Sequence, residues 1–219
     1  MPDIKQSPLT RLKRARKRGS FDRDTINAIV DASPLCHVGH LVDGQPVVTP
    51  TCHWRHGDNI YWHGSRLSRM LDASQKAPVC LTVTHLDGLV MARSGFHHSA
   101  NYRSAMIFGE AREVAREDKT SVLRDFIEGL FPGRWDELRA PTRKEMNATT
   151  VLWMPIEEAS AKIRTGPPID DDGDLDDPVW AGVVPLHTVA GEPERAPDIK
   201  KGVRLPGYLK SFRLGGSDA

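Results

Sequence analysis

The chain has 219 residues, 39% hydrophobic and 27% charged, which is enough length and apolar content for one medium domain with a real core and too much for a disordered tail. Lys plus Arg number 30 and Asp plus Glu 29, so the two signs nearly cancel at a formal net charge of +1. No apolar run approaches a membrane-spanning length and no signal-peptide stretch opens the chain, which predicts a cytoplasmic protein.

Residues 1–20 read as a basic arm carrying Arg11, Lys13, Arg14, Arg16, Lys17 and Arg18. A cluster of this kind can bind nucleic acid, but no helix-turn-helix, zinc-finger or RNA-binding signature accompanies it. A solvated arm, folded against the body or lending positive potential to a phosphate site, is favoured. Residues 21–190 read as the folded domain. Asp22 is placed to cap a helix through about Ser33, with Ile26, Ile29 and Val30 inward. The texture then turns to β, with strands expected at Leu35–Val42, Gln45–Arg55, Asn59–His63, Val79–Leu86, Leu89–Ser94 and Arg103–Ala115, and with turns at Asp43-Gly44, Gly57-Asp58 and Asp87-Gly88. Six antiparallel strands interrupted by one short helix predict a mainly β fold, a six-stranded barrel with peripheral helices rather than a doubly wound sheet. A helix over Glu117–Leu130 follows, then strands at Thr149–Met154 and Ala159–Thr165. The acidic run Asp170–Asp177 has neither the Gly position nor the final Glu of an EF-hand and reads as a solvated loop. Trp180–Pro185 is apolar and needs burial; residues 191–219 read as an extended tail.

The chemistry concentrates in one corner. Ile60–His63 has strand character, whereas Leu67, Met70 and Leu71 are spaced for a helix face, so strand must give way to helix near Gly64-Ser65. Gly64 allows the turn, Ser65 is a good N-cap, and a helix opening at Arg66 offers free N–H groups to an anion. Arg66 and Arg69 share a face of that helix and can grip phosphate oxygens. The plain alternative is a strand end followed by a capped surface helix. Elimination favours a bound cofactor as the carrier of any chemistry. The chain has no Gly-x-Ser-x-Gly, no Walker loop, no Gly-x-Gly-x-x-Gly and no Cys/His signature, and Cys36, Cys52 and Cys80 read as reduced and structural. Its nine histidines show no zinc spacing. One histidine suffices for haem, however, and His53 and His63, on neighbouring strands, are the candidates.

Several segments together then resemble a known family: His37-Val38-Gly39 and Val47–Pro50, Tyr61–Ser65 with Arg69-Met70-Leu71, Pro78–Val83, Ser99–Ser104 with Phe108-Gly109, Ala159–Pro168, and Trp180–Pro185. The chain resembles the FMN-binding split-barrel superfamily over about residues 10–190, in the branch related to pyridoxamine 5′-phosphate oxidase that includes nitroimidazole-resistance proteins. The resemblance implies a Greek-key split barrel working as a homodimer, with two FMN sites between subunits and no membrane or nucleic-acid partner. By that correspondence Thr49, Pro50, Thr51, Cys52 and His53 line the isoalloxazine, while His63, Gly64, Ser65, Arg66 and Arg69 hold the phosphate. Arg103 and Ser104 approach the same flavin; Lys162, Arg164 and Trp180 match segments arriving from the partner, unless Lys162 and Arg164 are rim cations. Leu67 stands where the true oxidases place a phosphate-binding Lys, so that activity is not assigned. The implied function is an FMN oxidoreductase passing electrons from a small-molecule donor to a small acceptor, such as a nitro compound, quinone or oxygen. A flavin- or haem-binding protein without turnover is the alternative.

Overall fold

The computed structural model describes residues 3–210 and 212–215. In chain order the elements are β1 (Gly19–Ser20), α1 (Arg23–Asp31), β2 (Leu35–Val42), β3 (Gln45–His56), β4 (Asn59–Ser65), α2 (Arg69–Ser74), β5 (Val79–Met91), β6 (Ser99–Gly109), β7 (Arg112–Glu113), α3 (Lys119–Leu130), α4 (Arg143–Ala148), β8 (Thr149–Pro155), β9 (Glu158–Arg164), β10 (Gly182–Pro185) and α5 (Gly207–Lys210). Asp22 starts α1 by accepting the Thr25 N–H at 2.8 Å, and Ile26, Ile29 and Val30 enter the core.

All strand pairs are antiparallel, in the order β1-β9-β6-β5-β2-β3-β4-β8-β7, with β10 paired to β5. Within it β5-β2-β3-β4 is a Greek key, because the fourth strand of the set returns to lie beside the first. Alternation decides the layers: Cys36 and Val38, Leu81 and Val83, and Ala105 and Ile107 are fully buried on one face, while their chain neighbours point the other way. The result is a split barrel whose core is capped by α1.

Three boundaries differ from the sequence reading. The expected pair Val79–Leu86 and Leu89–Ser94 is one strand, β5, with a bulge between Leu86 and Gly88, and with β8, β9 and the short β1, β7 and β10 the sheet has ten strands among the described residues. Asp87-Gly88 therefore serves a bulge and not a turn. The Asp87 carboxylate takes both nitrogens of the Arg103 fork at 2.9 Å, and Gly88 lets β10 approach, since a Cβ there would lie 3.0 Å from the Val184 carbonyl oxygen. The expected strand Arg103–Ala115 is β6 followed by the two-residue β7. Finally, α2 opens at Arg69 and not at Arg66. Ser65 stays in β4 opposite Thr149, and the Arg66 N–H continues the ladder by donating to the Ala148 carbonyl at 2.8 Å. Ladder hydrogen bonds outlast the local preference for a cap.

The basic arm is not separate from the barrel. Ile4 is buried in the main core, its N–H donates to the Phe21 carbonyl at 2.8 Å, and β1 extends the sheet at Lys162 and Ala161. The last residues also return: Phe212 stacks on Phe131 with ring centroids 5.4 Å apart.

The close approach at the bulge is testable. Gly88→Ala is expected to push β10 off β5 and cost about 1–3 kcal/mol, the usual range for overpacking. A denaturant midpoint equal to that of the parent protein would show that β10 has room there.

Candidate functional site

At the corner, β4 delivers His63, Gly64 and Ser65, and a three-residue turn separates them from α2. Ser65 organises that turn: its Oγ accepts the Leu67 N–H at 3.2 Å and its carbonyl accepts the Ser68 N–H at 2.9 Å. Gly64 is required by packing, because a Cβ there would come within 3.2 Å of Leu71 on α2. Arg66 and Arg69 are exposed, and among the described residues neither makes an ion pair. Arg66 lies in the turn and Arg69 opens α2, so the two do not share a helix face as expected; exposed cations without a carboxylate partner near the corner still favour an anion.

His63 is half-buried, its ring 5.7 Å from Trp54 and 5.2 Å from Phe126. Burial lowers its pKa, so the neutral imidazole is favoured. Its Nδ1 is buried without a hydrogen-bond partner among the described residues. His53 has a different occupation. Its Nε2 lies 3.0 Å from the Val30 carbonyl, and the Nε2 of His85 lies 2.8 Å from the Ile29 carbonyl. A carbonyl can only accept, so both rings donate through Nε2–H. They satisfy two carbonyls left open at the end of α1. Of the nine histidines, six hold a hydrogen bond or ion pair among the described residues; His37, His63 and His187 show none there. His37 enters the sequence reading only as part of a family segment and is not among the site residues named there. It faces outward opposite Pro50 and Thr82, which strand parity would have indicated.

Cross-strand register places the remaining candidates. Pro50 and Cys52 lie opposite His37 and Leu35, on the open face of the sheet. Ser104 and Lys162 are paired on β6 and β9 and share that face through Thr84. Thr49 and Thr51 lie opposite Val38 and Cys36 and so turn to the other side. The Lys162 ammonium sits 5.8 Å from the Tyr102 ring centroid. Arg103 is committed to Asp87. Arg164 is buried and bonds the Asn101 side chain and the Gly166 and Pro167 carbonyls, which holds the loop after β9. Trp180 is exposed and folds its ring over Gly182. One chain therefore does not gather all of these groups: β6 and the corner strand β4 have β5, β2 and β3 between them.

The open face also carries apolar side chains that water does not favour. Leu35 is 49% exposed, Val48 64%, Leu86 52% and Met106 42%. Behind the barrel, a cavity of about 920 Å³ lies between α1, the end of β3, α3 and the returning C-terminal residues, with His53, Trp54, Phe126, Tyr208 and Phe212 in its walls. Neither Cys36 nor Cys80 is poised as a thiolate, since burial and the nearby Cys52 push the Cys36 thiol up to about 12 and burial also raises Cys80. In the acidic loop, Asp171 and Asp174 come near His97, with ligating atoms within 4.8 Å of one another; the Asp171 carboxylate is largely in solvent.

The sequence profile of the pyridoxamine 5′-phosphate oxidase family matches residues 22–163. Among solved structures, flavocytochrome Anf3 from Azotobacter vinelandii is 44% identical, with 95% of this chain and 98% of that one covered at a TM-score of 0.92. The FAD and haem binding protein from Mycobacterium smegmatis is 40% identical, with 90% and 98% covered and a TM-score of 0.86. A candidate 5-nitroimidazole antibiotic resistance protein from Bacteroides thetaiotaomicron, 20% identical over 65% of this chain and 84% of its own at a TM-score of 0.55, shares the fold. No curated protein matches the chain significantly.

The histidine cap predicts a pH dependence. Burial lowers the pKa of His53 from 6.5, so the folded state binds fewer protons than the unfolded state below that value. Stability is therefore complete above about pH 6.5, the unfolded histidine value, and is lost as pH falls toward the depressed folded pKa. Thermal unfolding between pH 8 and pH 5 is expected to show this decline, and His53→Gln is expected to flatten it; an unchanged slope would locate the acid sensitivity elsewhere.

Proposed function

Because the chain belongs to the pyridoxamine 5′-phosphate oxidase family, we propose that it is a flavin-binding redox protein that works as a homodimer, each flavin held between the corner of one subunit and the open sheet face of the other. The observation that carries this reading is the pair Arg66 and Arg69, two exposed cations beside Ser65 with no carboxylate to neutralise them. They fit a ribityl phosphate by charge and by number of donors. The family correspondence adds Gly64 and His63 at the same corner, and Thr49, Pro50, Thr51 and Cys52 along the ring. Ser104 and Lys162 lie on the open face, too far along the sheet to reach the corner of their own chain. A second copy supplies them, and its docking covers the exposed Leu35, Val48 and Met106.

FMN is the smallest flavin that this corner accounts for. When bound, a flavin passes electrons between a small-molecule donor and a small acceptor such as a nitro compound, quinone or oxygen. The chain's part is to fix the phosphate through Arg66 and Arg69, to wall the ring with β3, and to keep His63 neutral beside Trp54 and Phe126. Arg103, Arg164 and Trp180 support this site indirectly, through the bulge, the loop after β9 and the docking of β10.

Haem is a second reading, favoured by one observation: His63 stands among aromatic rings with its buried Nδ1 unpaired among the described residues. His53 fits that role poorly, because its Nε2 already serves the α1 carbonyl. The names of the two most similar structures mentioned above, a flavocytochrome and an FAD and haem binding protein, support both groups in one fold.

The visible absorption spectrum of the purified protein, with mass identification of whatever is released, is the direct test. A two-banded flavin spectrum supports the reading, a Soret band adds haem at His63, and a colourless protein that takes up neither would refute it. Arg69→Ala is expected to weaken FMN by about 1.5–3 kcal/mol, the loss of a charge-assisted hydrogen bond, and equal affinity by calorimetry would remove Arg69 from the site. Met106→Asp is expected to yield monomers by light scattering and to release flavin; a flavin-loaded monomer would sink the shared site.

A further inference from the structure

The basic arm folds against the barrel and encloses a second cavity. Gln6, Ser7, Arg11, Leu12, Lys13, Arg16, Gly19 and Phe21 are among the residues around a space of about 720 Å³. Its shape is set by buried anchors. Ile4 sits in the core at 4% exposure and Thr10 is 2% exposed, and Ser7 and Thr10 fasten the turn, the Ser7 N–H donating to Thr10 Oγ1 at 2.8 Å and the Arg11 N–H to the Ser7 carbonyl at 3.0 Å. Leu12 packs so closely on the far wall that a Cβ on Gly19 would overlap it at 2.2 Å.

The charge of this cavity is one-sided. Arg11, Lys13 and Arg16 project from its walls, Arg14, Lys17 and Arg18 stand in the same stretch, and none of the six appears in an ion pair among the described residues. No Asp or Glu lines the space. Like charges gathered around a concavity repel one another and raise the local concentration of anions there. The place is also suggestive, for β1 pairs Gly19 with Lys162, which faces Ser104 on the next strand. The cavity thus borders the sheet edge whose residues the flavin reading employs, yet shares no side chain with the corner at Arg66 and Arg69.

We propose that this cavity binds the diphosphate of a nucleotide. The space is far larger than a single phosphate needs. Arg11, Lys13 and Arg16 would hold the diphosphate oxygens, while Leu12 and Phe21 offer an apolar wall for the nucleoside and Gln6 and Ser7 offer polar groups to its edge. Two sources share this chemistry, the adenosine diphosphate end of a flavin dinucleotide and a separate nicotinamide dinucleotide acting as electron donor. Only the first source rests on the flavin reading; binding of a free nucleoside diphosphate does not.

The test uses the full chain and ADP as probe, by isothermal calorimetry at low salt, against the triple variant Arg11→Gln, Lys13→Gln, Arg16→Gln and the conservative Arg16→Lys. ADP is expected to bind the parent protein and to bind the triple variant at least tenfold more weakly, the loss of even one charge-assisted contact, with Arg16→Lys between them and the thermal unfolding temperature unchanged. FMN affinity is expected to be equal in all three. If FAD affinity falls in the triple variant while FMN does not, the dinucleotide flavin is the source; if both flavins hold and NADPH binding falls, the donor is. No measurable ADP binding, or equal ADP binding in parent and triple variant, overturns the proposal. So does an oligonucleotide that binds more tightly than ADP through the same three residues, which would make the arm a nucleic-acid surface.

Discussion

The clamp between α1 and the barrel is the constraint on which the rest of the structure depends. A helix of nine residues ends inside the protein with carbonyls that water cannot reach, and an unsatisfied buried carbonyl is costly. Two imidazoles meet them, His53 from β3 and His85 from β5, strands that flank β2 in the sheet. Each ring therefore carries a proton on Nε2, and burial favours the neutral form of His53. With α1 so fixed, Ile26, Ile29 and Val30 fill the barrel and the sheet's other face is left without a cover of its own.

That asymmetry links fold to function. A sheet with one buried face and one half-apolar, solvent-facing surface leaves apolar area open to a partner, and the groups assigned to the flavin are divided between β6 and β9 on that surface and a corner on β4, with β5, β2 and β3 between β6 and β4. Both features would be answered by the one event proposed above, the docking of a second copy. The corner is rigid for reasons that have nothing to do with a ligand: Ser65 remains in the β4 ladder, Gly64 admits Leu71, and the turn leaves Arg66 and Arg69 outside. An anion arriving there meets donors already in place and costs little ordering.

Much of this was legible in the sequence because the signals were local. Alternating side chains placed β2, β3, β4 and β6, the Asp22 cap placed α1, and the corner was found from a change of periodicity between Trp62 and Leu71. What escaped was decided at long range. Asp87-Gly88 has the composition of a hairpin turn, and only the carboxylate's engagement with Arg103 and the approach of β10 make it a bulge. Ser65 has the composition of a cap, but its pairing with Thr149, more than eighty residues away in the chain, holds it in the sheet. His53 and His63 look equivalent in sequence, and their different duties depend on where the end of α1 falls. The anchoring of the arm through Ile4 carried no periodic signal at all.

The bulge has one more consequence, for how the family's sequences should be compared. Before it, the core side of β5 is occupied by Val79, Leu81 and Val83; after it, by Gly88, Val90 and Ala92. The inward set passes from odd to even positions within a single continuous strand. An aligned relative that lacks one residue at Asp87 would not have a shorter loop. It would have a regular ladder, with Leu86 and Gly88 still opposite Tyr102 and Asn101, Gly88 and Val90 on the same side as before, and only the carboxylate that holds Arg103 lost. A gap at this position thus leaves the pairing on both sides of it in place, and residue correspondences drawn across it hold when the gap is set at Asp87.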